Sequence, residues 1–273
     1  MIQAVARGSS SPIIEVKDLK NYLGGRWVHD GINFSINAGE IVAVIGASGG
    51  GKTTLLRSIL MLLKPTSGEI KVLGCNIATC SLEQTLAIKK SWGVLFQMNA
   101  LFSSLTVLEN VIFPLVKYTS LRPKQLRALG LLRIELSGLD ISVANLYPAE
   151  LSGGMQKRAA LARAIAMDPE LVFLDEPTAG LDPNSAAILD ELVLNLRSNL
   201  GLTFMIATHD LDTLWKVPDR VIFLGEGKVL AFDSMKKLVQ NSHPLIQAYF
   251  QSYRGQSRTK KALFVPPGPS ENE

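Results

Sequence analysis

Three patterns of apolar and polar residues follow one another along the chain, and their order lays out its elements. Residues 13 to 45 read as strands. "IIEV" comes first; Ile32, Phe34 and Ile36 then alternate with polar residues; the unbroken run "IVAVIG" is a strand buried on both faces and closed by glycine. A helix is predicted from about Lys52 to Leu63, stopped at "KPTSG", where Pro65 and Gly68 make a turn. After "WGVLFQ" the period becomes helical over about residues 98–167, with Thr106 and Glu109 as a capping box and Pro123 suited to a helix first turn. Strand character returns in "LVFLDEP", "LTFMIATHD" and "RVIFL", separated by helical stretches such as Asn184 to Leu196, which predicts an α/β fold with a mostly parallel sheet and crossover helices. A hairpin around Gly225 to Gly227 closes the core. The expected domain spans residues 13–240, with the helical insert inside it, and residues 241–273 form a C-terminal extension whose "PPGPSENE" end has a flexible composition. No internal repeat is present.

Composition narrows the class without choosing the chemistry. With 273 residues, 47% hydrophobic and 19% charged, the chain supports a sizeable core. Its mean hydropathy of +0.21 raises the question of a membrane span. No apolar run approaches the roughly 18 to 20 residues a span needs. "MIQAVARGSSSP" has one arginine and no apolar core, so it does not read as a secretory signal, and the cytosol is the expected compartment. Cys75 and Cys80 are too widely spaced for a CxxC motif and are expected as reduced, structural thiols. The net charge of +4 is scattered rather than blocked, so charge alone does not select nucleic acid or an anionic membrane as neighbour.

The chemistry begins at "GASGGGKTT", which fits G-x-x-x-x-G-K-[ST] between a strand and a helix. Glycines let backbone N–H groups turn inward around phosphate oxygens, and the helix N-terminus adds partial positive charge. Gly46, Ser48, Gly49, Gly51, Lys52, Thr53 and Thr54 are therefore the candidate nucleotide-binding set, with Lys52 reaching the β- and γ-phosphates and the Thr53 hydroxyl ligating Mg²⁺. ATP and Mg²⁺ are the expected ligands. "LVFLDEP" is a buried strand ending in two acids at the edge where open α/β sheets bind ligands. Asp175 is the candidate metal carboxylate, and Glu176 the base that orients and deprotonates the attacking water. His209 and Gln97 end two further strands. The first is placed to contact the γ-phosphate, the second to bind Mg²⁺ or water through an amide that can still move.

Two adjacent glycines behind a serine, in "AELSGGMQ", precede a basic, alanine-rich helix far from the phosphate loop. The run "LSGGMQKRAALARAIAMDPELVFLDEPTAGLD" resembles the ATP-binding-cassette (ABC) ATPases, whose signature reads LSGGQ, and the resemblance covers about residues 13 to 240 with every main motif in order. It implies a RecA-like P-loop NTPase core with an antiparallel β subdomain and a helical subdomain. It also implies that Ser152, Gly153 and Gly154 cap the ATP of a second copy of the chain in a head-to-tail sandwich, while Asp182 couples the two sites. Tyr22 stands where the family stacks an aromatic on adenine, with Trp27 as the alternative. Met155 departs from the usual glutamine, although Gln156 follows it; methionine is expected to pack there and leave the site working.

One cassette without a span implies a separate integral membrane permease and a peripheral position on the cytoplasmic side of the inner membrane. "GVLFQMNALFSSLTVLENVIFPL" with "ELSGGM" and the tail "HPLIQAYFQSYRG" is most similar to the ATPase subunits of Mce/Mla-type lipid transporters. That group implies a phospholipid or other apolar cargo, an Mce-domain protein and a small STAS-domain protein as partners, and a C-terminal extension reaching the neighbouring ATPase; no nucleic acid is expected. "MNALF" (Met98 to Phe102) is either part of the groove receiving a permease coupling helix or a buried loop closing the core. Another importer, a lipoprotein-release ATPase and a soluble non-transport ABC ATPase remain the competing readings; the last usually carries two cassettes or a long coiled-coil insert, and this chain has neither.

Overall fold

The protein is described here from a computed structural model over residues 12–47 and 49–252. Alternating residues build β1 (Ile14–Leu23) and β2 (Arg26–Ile36), paired antiparallel from Ile14 against Ile36 to Leu23 against Arg26. The apolar run becomes β3 (Ile41–Gly46), buried at every position. α1 (Lys52–Ile59) follows the phosphate loop. It stops short of Leu63 because Met61 turns into the left-handed region at φ 58°.

Residues 67 to 90 hold elements the sequence pattern did not announce. They are β4 (Ser67–Val72), the two-residue β5 (Cys75–Asn76) and α2 (Leu82–Lys90), whose N-terminus is closed by a Ser81/Gln84 capping box. The expected free thiols are instead a Cys75–Cys80 disulfide, with Cα atoms 6.4 Å apart. A tight turn brings them together: the N–H groups of Thr79 and Cys80 both donate to Asn76 O.

β6 (Trp92–Leu95) leads into the helical insert. α3 (Val107–Tyr118) starts at the expected Thr106/Glu109 capping box and α4 (Pro123–Leu136) at the expected proline. Two short 3₁₀ turns, Ile141–Asn145 and Pro148–Glu150, then lead to α5 (Gly153–Ala164). The chain returns to the sheet through β7 (Leu171–Asp175), α6 (Pro183–Leu200), β8 (Thr203–Ala207), α7 (Leu211–Lys216), the β9 (Arg220–Gly225) and β10 (Lys228–Asp233) hairpin, and α8 (Met235–Leu238). Residues 244–252 are also helical and seat Ile246 and Phe250 against Ala43, Ile45 and Phe223.

Two sheets result. One is antiparallel, in the order β2-β1-β4-β5; the other runs β10-β9-β3-β8-β7-β6. In the second, β9, β3, β8, β7 and β6 are all parallel, so their carboxyl ends open on one edge, while β10 is antiparallel. Phe173 and Phe204 are fully enclosed between the layers; burial of such a ring contributes roughly 1.5–3 kcal/mol.

α5 belongs to two cores at once. Ala160, Leu161, Ala164 and Ile165 pack with the sheet beside Val172, Leu174 and Phe204, whereas Ala159 and Ala162 pack with Val107, Val111 and Ile134 of the helical subdomain. Small side chains make this approach feasible. Where α5 ends, a Cβ on Gly93 of β6 would sit 2.0 Å from Ala164 O.

Candidate functional site

Parallel pairing aligns the strand ends that carry the candidate residues. Asp175 lies opposite Ala207, Ala207 opposite Val44, and Gly46 opposite Leu224. The last residue of β3 therefore opens on the same edge as Asp175, Glu176 and the Thr208–His209 segment after β8. One cavity of about 700 Å³ is lined by Gly46, Ala47, Gly50, Lys52, Glu176 and His209, together with Leu245 and Tyr249 of the 244–252 helix. Gly49 adjoins it at φ +75°, and Ser48 lies outside the described residues.

Gly51 requires its lack of a side chain twice over. Its φ is +94°, and a Cβ would meet His29 Nε2 at 2.3 Å. His29 is buried, and its Nδ1 is 2.9 Å from Asn21 Nδ2, which only donates; Nδ1 therefore accepts, and Nε2–H donates to Gly51 O at 3.2 Å. Asn21 also donates to Ser58 Oγ, and Ser58 to Thr54 O, so one buried polar chain ties the β1–β2 hairpin to both the loop and α1. Burial pushes the His29 imidazole below its usual range, against the opposing bond to Gly51. The neutral ring is the form this chain holds.

Lys52 Nζ donates to Gly46 O at 2.8 Å and lies 3.4 Å from Ala47 O, so its ammonium arches over the loop that would hold phosphate. Burial lowers its pKa, while the Glu176 and Asp175 carboxylates act in the opposite direction. Thr53 and Asp175 share a separate cavity of about 170 Å³ with Arg57 and Phe173. The Asp175 carboxyl is pushed up first by burial and then by Glu176, against Arg57, Lys157 and Lys52. A hydroxyl and a charge-starved acid facing one cavity suit a hard cation that takes oxygen ligands.

Glu176 has a left-handed backbone, φ 49°, fixed by its N–H donating to Ala207 O at 2.8 Å. Its Oε2 lies 2.8 Å from His209 Nδ1, beside the ring. Gln97 is exposed and lines none of these cavities; its carbonyl, not its amide, is engaged, accepting from Lys157 Nζ at 2.7 Å. Tyr22 and Trp27 face each other edge-on, 5.1 Å between centroids, on the exposed end of the β1–β2 hairpin. Either ring is open to a base.

The signature residues stand apart from the phosphate cavity. Ser152 caps α5, accepting from Met155 N–H at 3.3 Å. Gly154 comes so near α6 that a Cβ would be 3.1 Å from Ser185 Oγ. Asp182 caps α6, accepting from the N–H groups of Asn184 and Ser185 at 3.0 Å, and those bonds, the Ser185 hydroxyl foremost, hold its carboxyl below the usual range. Met155 packs against the helical core, while Gln156 donates its amide to Pro148 O and Leu151 O.

Asn21, His29, Lys157 and Asp190 are among the buried polar residues that sequence reasoning did not single out. For Lys157 the signal was present, since Ala160, Leu161 and Ala164 follow it at helical spacing on a buried face. For the His29 pair no local pattern points to it, because its partners lie up to 37 residues apart.

Comparison with known proteins agrees with this geometry. The family model described as ABC transporter matches residues 29–179. An intermembrane phospholipid transport system ATP-binding protein, MlaF, of Haemophilus influenzae is 39% identical over 229 residues, 84% of this chain and 86% of that protein. MlaF of Escherichia coli K12 is 37% identical over 241 residues, covering 88% and 89%. A probable ribonucleotide transport ATP-binding protein, mkl, of Mycobacterium tuberculosis is 34% identical over 88% of this chain and 67% of its own length. Among solved structures, a dimeric ATP-binding cassette, MJ0796, in a post-hydrolysis state bound to ADP and Pi superposes with TM-score 0.74 at 30% identity, over 81% of this chain and 98% of that one. The cbiO1 component of a Clostridium perfringens ABC transporter complex gives 0.77 at 31%, over 91% and 99%. The phosphate loop, acidic strand end and signature helix are thus those of a cassette, and the chain belongs to the ABC transporter family.

Proposed function

We propose that this chain, an ATPase, powers phospholipid transport through a separate membrane permease, working as a head-to-tail dimer on the cytoplasmic face of the inner membrane. The observation that carries the cargo is the 37–39% identity to two MlaF proteins along more than four fifths of both chains. Among the described residues no helix is long and apolar enough to cross a membrane, in keeping with a separate permease. An Mce-domain protein and a small STAS-domain protein complete the proposed assembly.

The dimer rests on a separation. Ser152, Gly153 and Gly154 line none of the phosphate-loop cavity, yet a serine hydroxyl and helix N-terminal amides make an anion site. In the sandwich they would donate to the γ-phosphate held by the partner's loop. Thr53, Gln97 and Asp175 would hold Mg²⁺, which neutralises phosphate charge when bound. Lys52 would give up its loop carbonyls for β- and γ-oxygens. Glu176 would take the proton of the attacking water, His209 would steady the γ-phosphate, and Asp182 would turn from its helix cap toward the partner site. Loss of the γ-phosphate then removes the charge that holds the two copies together. Exposed Met98 and Phe102, the latter 4.8 Å from Phe113, would offer the permease an apolar groove, while Leu101 packs inward.

Affinity purification of the full chain from detergent-solubilised membranes, with mass spectrometry of proteins and lipids, tests the assignment. A multi-span permease with an Mce-domain protein and phospholipid is expected. Recovery with ribosomes, or with a permease for a polar solute, would discard the cargo.

A further inference from the structure

α5 touches the loop after β6 at three successive points. Gln156 Oε1 accepts from Asn99 Nδ2 at 3.4 Å, Lys157 Nζ donates to Gln97 O at 2.7 Å, and Arg163 donates to Ala100 O at 2.6 Å and Asn99 O at 2.8 Å. Lys157 also reaches a second strand end. The same ammonium lies 3.3 Å from Glu176 O and is only 4% exposed.

An ammonium in such a place is costly unless hydrogen-bonded and paired. Here two carbonyls accept from it, and the Asp175 and Glu176 carboxylates balance its charge. Both loops it holds are in uncommon conformations: Glu176 at φ 49°, Asn99 and Ala100 at φ 61° and 52°. Such backbones persist only where the surroundings over-determine them. A methionine of similar length would fill the volume as well; what lysine adds is one charge that two carbonyls share.

We propose that Lys157 is a positioning residue for ATP hydrolysis, fixing through the carbonyls of Gln97 and Glu176 the spacing between the amide-bearing loop and the base-bearing strand end. Because Lys157 is four residues beyond Gly153, a shift of the signature helix is transmitted to the base through this one group. The proposal rests on the ATPase reading of the site and adds a residue that does not line the phosphate-loop cavity.

The test is steady-state ATP hydrolysis by the purified full-length chain, wild type beside Lys157→Met, Lys157→Arg and Glu176→Gln, with melting temperatures. Lys157→Met is expected to lower kcat at least tenfold with KM for ATP changed less than threefold and the fold retained, and Lys157→Arg to recover at least a third of wild-type kcat. A Met variant with kcat within twofold of wild type would overturn the proposal. So would a parallel loss of ATP affinity that arginine does not rescue. Should the Met variant fail to fold, Lys157→Gln decides by the same split of kcat from KM. Wild-type turnover no higher than that of Glu176→Gln would instead strike at the ATPase reading itself.

Discussion

At the scale of single residues, the acids separate by environment. In the proposed reaction Glu176 takes the proton of the attacking water, so Glu176→Gln should lower turnover by about 10²–10⁴-fold while ATP binding persists. Size-exclusion chromatography with light scattering should then show an ATP-dependent dimer; near-normal hydrolysis would remove the base assignment. Asp190, 6% exposed beside Thr213, has its pKa raised to about 6 by burial, helped by Asp210 and Asp212 and opposed by the Thr213 hydroxyl and Lys216. An acid whose folded pKa exceeds its ordinary value of 3.8 takes up its proton at higher pH in the folded state, so its penalty is full above pH 6 and fades as pH falls toward 4. Asp190→Asn should raise the melting temperature at pH 7.5, by the equivalent of about 1–2 kcal/mol, and give a clearly smaller gain at pH 4.5. His29 works oppositely. Its folded pKa is depressed below 6.5, so its contribution to stability is full above 6.5 and is lost on acidification. Differential scanning calorimetry of the wild type and Asp190→Asn across pH separates the two.

Among elements, those legible in the sequence were the ones whose pattern is set by burial. β3 has six buried residues in six, and α3 has both its capping box and its apolar face. α2 escaped because it buries only Ile88 and leaves Leu82 and Leu86 in solvent, although its Ser81/Gln84 box was readable. β4 is legible only through Ile70 and Val72, and a five-residue separation of cysteines carries no pairing rule. The candidate motif residues stand out in the sequence because phosphate binding would dictate their types. Their supports could not, because Asn21, His29 and Lys157 owe their roles to partners far along the chain. The seam between β6 and α5 is the element contact with least slack: Gly93→Ala should cost several kcal/mol by chemical denaturation, on the order of an overpacked core change or more. Recovery of wild-type stability in that variant would mean α5 can retreat.

For the whole molecule, the parallel sheet gathers the chemistry on one edge, and the helical subdomain carries the signature on another face. The intact chain should therefore be monomeric without nucleotide and dimerise with ATP when hydrolysis is blocked. Phe102→Asp should spare the melting temperature, since that ring is exposed, while weakening recovery of the permease in a pull-down; unaltered recovery would leave the loop after β6 without that role. Met155→Gln should leave turnover near wild type, because the methionine packs into the helical core and Gln156 makes the amide bonds nearby; a large gain would mean that the natural signature is impaired.

Evolution and protein engineering often treat an insert as a detachable module. Here the shared membership of α5 forbids that. Excising residues 98–167 would take Ala160, Leu161, Ala164 and Ile165 from beside Phe204 and strip one wall from the sheet. No trimmed core should survive the cut, and grafts from other cassettes should succeed only if they bring their own alanine-rich helix together with the strand it rests on.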